Sequence, residues 1–408
     1  DRSPSRGLGD VYKRQGHNPV VHRRFARVAD PRHVQPPGRV RRVRSPGRNA
    51  RAAAVDKFID ADPKKISWTR ALKGDLTKNK YFALDESCLT PSLYRPFTQQ
   101  WLYYNRTFNE MVLLMPRIFP MGDTARENLV IQASGVGARS FTVLMSKTLP
   151  CLDAIEKGQC FPRYLYDEEA GKIGENGQGD MLASDGTGRF ERRDAITDEG
   201  LAHFQAIYPG ETITKDDLFY YVYGLLHSDD YRRRYADNLS KELPRIPAVK
   251  KAADFWAFVA AGRELGDLHC EYETVEPYPV IFSRGDTRLI AADDPISFYR
   301  VEKMKFAGKR PNLDKTTVIY NGNITMTGIP LEAYDYVVNG KPALEWVMER
   351  QCVKTDKDSG IVNDANLYAI ETARDPAYPL KLFQRVITVS LETMKIVEGL
   401  PRLGDLCR

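Results

Sequence analysis

The chain has 408 residues, 42% hydrophobic and 28% charged, an ordinary globular composition long enough for two or three domains. No apolar run approaches the roughly 18 residues of a membrane span, no charged-then-apolar signal peptide opens the sequence, and six scattered cysteines without a Cys-x-x-Cys pair argue for reduced thiols in a cytoplasmic protein. The formal charge of +6 invites a nucleic-acid reading, but residues 1–51 hold fourteen Lys+Arg against three Asp, which leaves an acidic body of 46 basic and 51 acidic side chains over the other 357 residues.

Residues 1–54 are rich in Arg and Pro and show neither helical nor strand periodicity. Such a segment reads as a basic arm gripping phosphates or as disorder. A third reading is preferred. Asp10-Val11-Tyr12-Lys13-Arg14-Gln15 looks like the translation of a transposon mosaic-end adapter used in sequencing libraries, and the stretch to about Ala53 resembles a GC-rich gene read in a wrong frame. Fold reasoning therefore starts at Val55.

From there, residues 93–104 and 111–119 are aromatic- and aliphatic-rich and strand-like. Residues 128–132 and 140–145 read as a strand pair around Gly135-Val136-Gly137, and 171–188 as a surface loop. Thr214 caps a helix reaching about His227, with Asp216 and Asp217 at the positive end of its dipole and Leu218, Phe219, Val222, Leu225 and Leu226 on one face. Further helices are expected over 231–239 and 252–268. Residues 278–330 read mostly as strands, with a hairpin around Asn321-Gly322, and helices over 343–350 and 381–397 close the chain. With helices grouped and no βαβ alternation, the fold class is mixed α+β.

Catalytic signatures are mostly missing. The sequence contains no Gly-x-x-x-x-Gly-Lys-Ser/Thr, no Glu-x-Lys, no His-Glu-x-x-His and no Gly-x-Ser-x-Gly. His203, His227 and His269 have neither metal-like nor triad-like spacing, so structural or surface roles are expected. Two motifs mimic a methyl-donor enzyme. Gly135-Val136-Gly137 lacks the third glycine of a cofactor loop and leads into Phe141-Thr142-Val143, a strand pattern where a helix is needed. Asp375-Pro376-Ala377-Tyr378 is similar to the loop that grips a flipped adenine, but it follows Glu371-Thr372-Ala373-Arg374 rather than a buried strand and reads as a turn before the last helix.

Several blocks in order carry a more specific likeness. They are Ser92-Leu93-Tyr94-Arg95-Pro96-Phe97 with Trp101-Leu102-Tyr103-Tyr104, Met115-Pro116-Arg117-Ile118-Phe119-Pro120, Gly158-Gln159-Cys160-Phe161-Pro162, and the tyrosine-rich 220–227 with Tyr231-Arg232-Arg233-Arg234-Tyr235. Leu243-Pro244-Arg245-Ile246-Pro247, Tyr299-Arg300-Val301-Glu302-Lys303-Met304, Ala343-Leu344-Glu345-Trp346-Val347-Met348-Glu349-Arg350 and 353–363 complete the set. From about Val55 to Pro401 the chain resembles the C-terminal region of type ISP restriction–modification enzymes. The resemblance implies a target-recognition piece of a single polypeptide that also carries a nuclease, an ATP-driven translocase and an adenine methyltransferase. This fragment would hold no catalytic residue, metal or cofactor. S-adenosylmethionine, ATP and magnesium would belong to the parent, and the partners would be double-stranded DNA and the parent's methyltransferase and translocase domains, with no membrane. The expected division is 1–54 as above, a β-rich recognition lobe over 55–210, a helical segment over 211–271 and a second lobe of β-hairpins and helices over 272–408. The rival readings are an autonomous adenine methyltransferase and a non-specific basic-arm binder.

Base reading in the major groove needs Arg or Lys on guanine, Asn or Gln on adenine and Asp or Glu on cytosine, while phosphate contacts set position. Candidates near turns or loops are Arg95, Gln99, Gln100, Arg106, Arg117, Arg139 and Arg163, joined by Arg232 and Arg233 on a helix. Arg95 and Arg117 sit in Pro- and aromatic-rich blocks and have interior alternatives: pairing with a carboxylate or stacking within the fold. Arg232, Arg233 and Arg234 are consecutive on a helix and cannot all face one partner. Lys354 and Lys357 read as an exposed loop.

Overall fold

The computed structural model describes residues 55–57, 59, 62, 68–78, 85–109, 112–121, 127–168, 190–288, 293–358, 360–404 and 406. The basic N-terminal stretch and the expected loop over 171–188 lie outside them. The architecture is mixed α+β, built from several small sheets and a larger set of helices.

An antiparallel hairpin, Leu89–Arg95 with Thr98–Tyr103, comes first, paired from Leu89↔Tyr103 to Arg95↔Thr98. Its turn is unusual. Phe97 takes a left-handed backbone, φ 54°, and its ring is 1% exposed, edge-on to Tyr272 at 5.3 Å. A left-handed conformation costs a non-glycine residue energy, and burial of a whole aromatic ring offsets it. Leu149–Pro150 adds a parallel strand beside Leu93.

The expected strand pair forms as Val130–Ala133 with Val143–Ser146, and Gln159–Pro162 pairs on the other side. All eight residues of the first two strands are buried. The helices Lys215–His227 and Ala252–Cys270 cover them, and Met145 N donates to the Tyr223 hydroxyl at 2.8 Å. A separate two-stranded ribbon follows, Tyr164–Glu168 with Phe190–Asp194.

The second half holds a four-stranded antiparallel sheet in the order Lys305–Lys309, Asn312–Ile319, Thr325–Thr327, Ile281–Arg284, then the helices Ala343–Arg350 and Tyr378–Glu398. Asn321 makes the expected turn there, its Oδ1 accepting from Asn323 N and Ile324 N at 2.8 Å, while its amide donates to Phe298 O and Arg300 O at 2.9 Å.

Three local expectations are corrected. Residues 115–118 form a helical turn, not a strand, with Pro116 in the first turn, where its missing N–H costs nothing. The 231–239 helix is two pieces, Asp229–Arg234 and Ala236–Leu239, broken at Tyr235. Pro295–Tyr299 interrupts the strands with a short helix capped by Asp294.

Two large apolar cores result. One unites Leu93, Phe97, Leu144, Cys151 and Ile155 with Val301, Tyr320, Trp346 and Phe383. The other unites Ile131, Val143 and Met145 with Tyr221, Phe255, Phe258 and Leu403.

Candidate nucleic-acid interface

The structure gives the nine sequence candidates very different surroundings. Arg95 is 8% exposed. Its guanidinium stacks on Tyr94, 4.2 Å from the ring centre, donates to Tyr94 O at 2.7 Å and lies 3.6 Å from Cys151 Sγ. The interior alternative is the one observed, because the Pro96-Phe97 turn folds the hairpin end into the core. Gln99 accepts from Thr148 Oγ1 at 3.3 Å, and Gln100 is half-buried opposite Ser92. Arg106 stands exposed on the turn that follows.

Arg117 takes its other alternative and pairs with Asp167 on the ribbon. The same carboxylate takes Arg193 at 2.7 Å, and the Arg193 and Arg117 contacts hold it below the usual carboxylate range. Arg163 begins a longer arrangement. It pairs with Asp216, which Arg263 also holds at 2.8 Å while reaching Asp217 at 2.8 Å. Its guanidinium lies 5.0 Å from the Tyr164 ring and 5.9 Å from the Tyr220 ring. Arg263 covers Tyr220 at 4.3 Å and Arg192 covers Tyr164 at 4.4 Å. The result is an alternating row, Arg192–Tyr164–Arg163–Tyr220–Arg263, that ties the ribbon to the two long helices through cation–π contacts.

Arg139 has a side chain 91% exposed, with Glu156 as its ion-pair partner at 3.5 Å. It sits on the turn after Gly135-Val136-Gly137. Lys157 straps that turn by donating to Gly137 O at 2.8 Å, and a Cβ at Gly135 would meet Lys157 O at 2.2 Å. Gly135 lets this turn approach the Lys157 backbone, Gly137 takes a left-handed φ of 72°, and a strand follows instead of a helix, so the cofactor-loop geometry is missing. Asp375 likewise makes a turn: Oδ1 accepts from Ala377 N at 3.0 Å and Oδ2 from Lys381 Nζ at 2.6 Å.

The three consecutive arginines splay as expected. Arg232 turns inward, half-buried, and donates to Leu226 O at 2.8 Å; burial pulls its pKa below the ordinary guanidinium range. Arg234 donates to Gly404 O at 3.0 Å. Arg233 points outward, 76% exposed, with Asp230 as its ion-pair partner. Lys354 and Lys357 are exposed, but Lys354 lies on the short strand Val353–Thr355, paired with Asn363, and not in a loop. His203 is exposed, while His227 and His269 are buried. Among the described residues no group of three or more His, Cys, Asp or Glu could hold a metal ion, and no helix is long and apolar enough to cross a membrane.

The structure thus gathers Arg117, Arg163, Arg192 and Arg193 around one ribbon. Arg192 and Arg193 were not sequence candidates. Their strand is five residues long and lies across a Gly- and Asp-rich stretch from its partner, so no local periodicity marks the pairing. The alternation Tyr164-Leu165-Tyr166 was the available signal.

The family described as the type ISP C-terminal specificity domain matches residues 35–382. No curated protein matches. Among solved structures, the chain is similar to the ATP-dependent type ISP restriction–modification enzyme LlaBIII bound to DNA, with a TM-score of 0.69 and 31% identity over 88% of this chain and 22% of that one. It is also similar to a nuclease-deletion mutant of the type ISP enzyme LlaGI in complex with a DNA substrate mimic, with a TM-score of 0.66 and 35% identity over 87% of this chain and 28% of that one. A third likeness is to a DrdV–DNA complex, at 0.70 and 30% over 95% of this chain and 33% of that one. The chain spans between 22% and 33% of the length of these three chains.

Proposed function

Because this chain belongs to the family of type ISP C-terminal specificity domains, we propose that it recognises a specific sequence in double-stranded DNA on behalf of a larger polypeptide. The observation that carries this reading is the likeness, at 30–35% identity over 87–95% of the chain, to enzymes solved with DNA. Adenine methylation, ATP-driven translocation and cleavage, with their S-adenosylmethionine, ATP and magnesium, are assigned to other domains of that polypeptide, which would be the chain's intramolecular partners in the cytoplasm.

The electrostatics shape how recognition would work. The body is acidic, and Arg117, Arg163, Arg193, Arg233 and Arg263 are each held by a carboxylate. Bulk attraction is therefore weak. Binding by this chain alone is expected to be modest, with placed side chains supplying discrimination and neighbouring domains supplying grip. Selection by the full chain from a pool of randomised duplexes at low salt tests this. One enriched motif is expected; retention without base preference would refute sequence recognition. Calorimetry with S-adenosylmethionine is expected to show no binding heat, and measurable binding would favour the methyltransferase reading instead.

A further inference from the structure

The ribbon Tyr164–Glu168 with Phe190–Asp194 is a two-stranded element outside every larger sheet. One strand is anchored. Asn128 Nδ2 donates to Tyr164 O at 2.9 Å, the Tyr166 hydroxyl donates to Glu127 O at 2.8 Å, and Ala195 N donates to Arg163 O at 3.1 Å. The other strand faces outward, with Glu191, Arg192, Arg193 and Asp194 all exposed. Arg192 differs from the other arginines of the row. Arg163 and Arg263 are tied to Asp216, and Arg193 to Asp167. The Arg192 guanidinium carbon lies over the Tyr164 ring, 4.4 Å from its centre, with no carboxylate among its ion-pair partners within the described residues. A guanidinium stacked on an aromatic face keeps its N–H edge free and pre-oriented for a planar pair of acceptors. A two-stranded ribbon also has the width to enter the major groove, where guanine offers O6 and N7 as such a pair.

Resting on the proposed DNA recognition, we infer that Arg192 reads a guanine in the major groove, held in place by Tyr164. Charge balance favours reading over phosphate gripping. Glu191 flanks Arg192, and Asp194 stands 3.7 Å from Lys215, so the outer strand is nearly neutral. A phosphate-binding strand would carry an excess of cations.

The test is selection from randomised duplexes with the full wild-type chain and with Arg192→Lys, Arg192→Ala and Tyr164→Leu. Circular dichroism of each variant confirms folding. Arg192→Lys keeps the charge and loses only the planar fork. The wild type is expected to enrich a motif with at least one guanine. Arg192→Ala should lose about 5- to 150-fold of the preference at a single G·C pair, with the salt slope of binding unchanged, and Arg192→Lys and Tyr164→Leu should each lose part of it. Unchanged preference at every position in both Arg192 variants overturns the assignment. So does a uniform affinity loss with a slope shallower by about one, the mark of a phosphate contact. If the wild type itself enriches no motif, DNA recognition falls, and the role of Arg192 with it. Failure of the variants alone leaves that broader reading standing.

Discussion

His269 is 2% exposed. Tyr336 stacks on its ring at 5.3 Å, the Tyr223 hydroxyl lies 2.6 Å from Nδ1, and Thr393 Oγ1 lies 2.9 Å from Nε2. Burial drives its pKa down to about 3, and burial together with the nearby Arg232 drives that of His227 well below 6.5. Both histidines are therefore neutral in the folded state and take up protons on unfolding below the ordinary histidine pKa. Stability is present above about pH 6.5 and is lost as pH falls below it, by up to about 1.4 kcal/mol per unit for each histidine. Glu273, whose carboxyl burial pushes up, acts in the opposite direction. Thermal unfolding at pH 7 and pH 5.5 should show the midpoint falling in the wild type and falling less in His269→Gln. Equal falls would show that His269 does not titrate on unfolding. Spacing alone argued against metal or triad roles for these residues, and both are core groups here. Arg95 and Arg163 show the opposite limit of sequence reading. An arginine beside aromatics reads the same whether it faces a partner or stacks inside, and only the fold around Cys151 or Asp216 decides between the two.

At the scale of elements, the pairing of Lys215–His227 with Ala252–Cys270 depends on two glycines. A Cβ at Gly262 would stand 1.9 Å from Tyr220 O, and one at Gly224 would stand 2.2 Å from Phe258 O. Neither backbone oxygen can rotate away. Gly262→Ala is expected to cost about 1–3 kcal/mol despite the roughly 1 kcal/mol helix-propensity gain of alanine. Gly74→Ala, in the helix Arg70–Thr77 with no described residue within 4 Å of its Cβ, should be neutral or stabilising. Urea midpoints decide; a Gly262→Ala midpoint at or above that of the wild type would mean that the helices separate freely. Helices were the legible elements. Thr214 and Asp217 form the reciprocal capping pair at the predicted start, and Ala343–Arg350 lies where its pattern places it. Strands were less so. The 115–118 turn carries the apolar content of a strand, and composition gives no count of the backbone hydrogen bonds that Pro116 lacks.

Across the whole molecule, the expected boundaries at 210 and 271 are bridged by both cores, since each draws residues from the 93–155 region and from segments hundreds of positions later. Amphipathic periodicity marks which residues are buried but not which distant segments they meet, so α+β content was readable while the assembly was not. Charge operates at this scale as well. If residues 1–54 are foreign to the recognition surface, their removal should leave the selected motif unchanged while lowering non-specific, salt-sensitive binding. A motif lost with those residues would restore the basic-arm reading. Duplex selection with the shortened chain, at two salt concentrations, separates these outcomes.

The hydrogen bond from Trp101 Nε1 to Thr372 Oγ1, at 3.0 Å, joins the first hairpin to the region just before the last helix. During synthesis, the hairpin leaves the ribosome about 270 residues before its partner exists. Phe383, Val386 and Val389 complete one core, and Leu403 completes the other. Neither core can close on a growing chain until residues 383–389, for the first, and Leu403, for the second, have emerged. Until then its strands are exposed to misassociation, and chaperones have their longest opportunity to act.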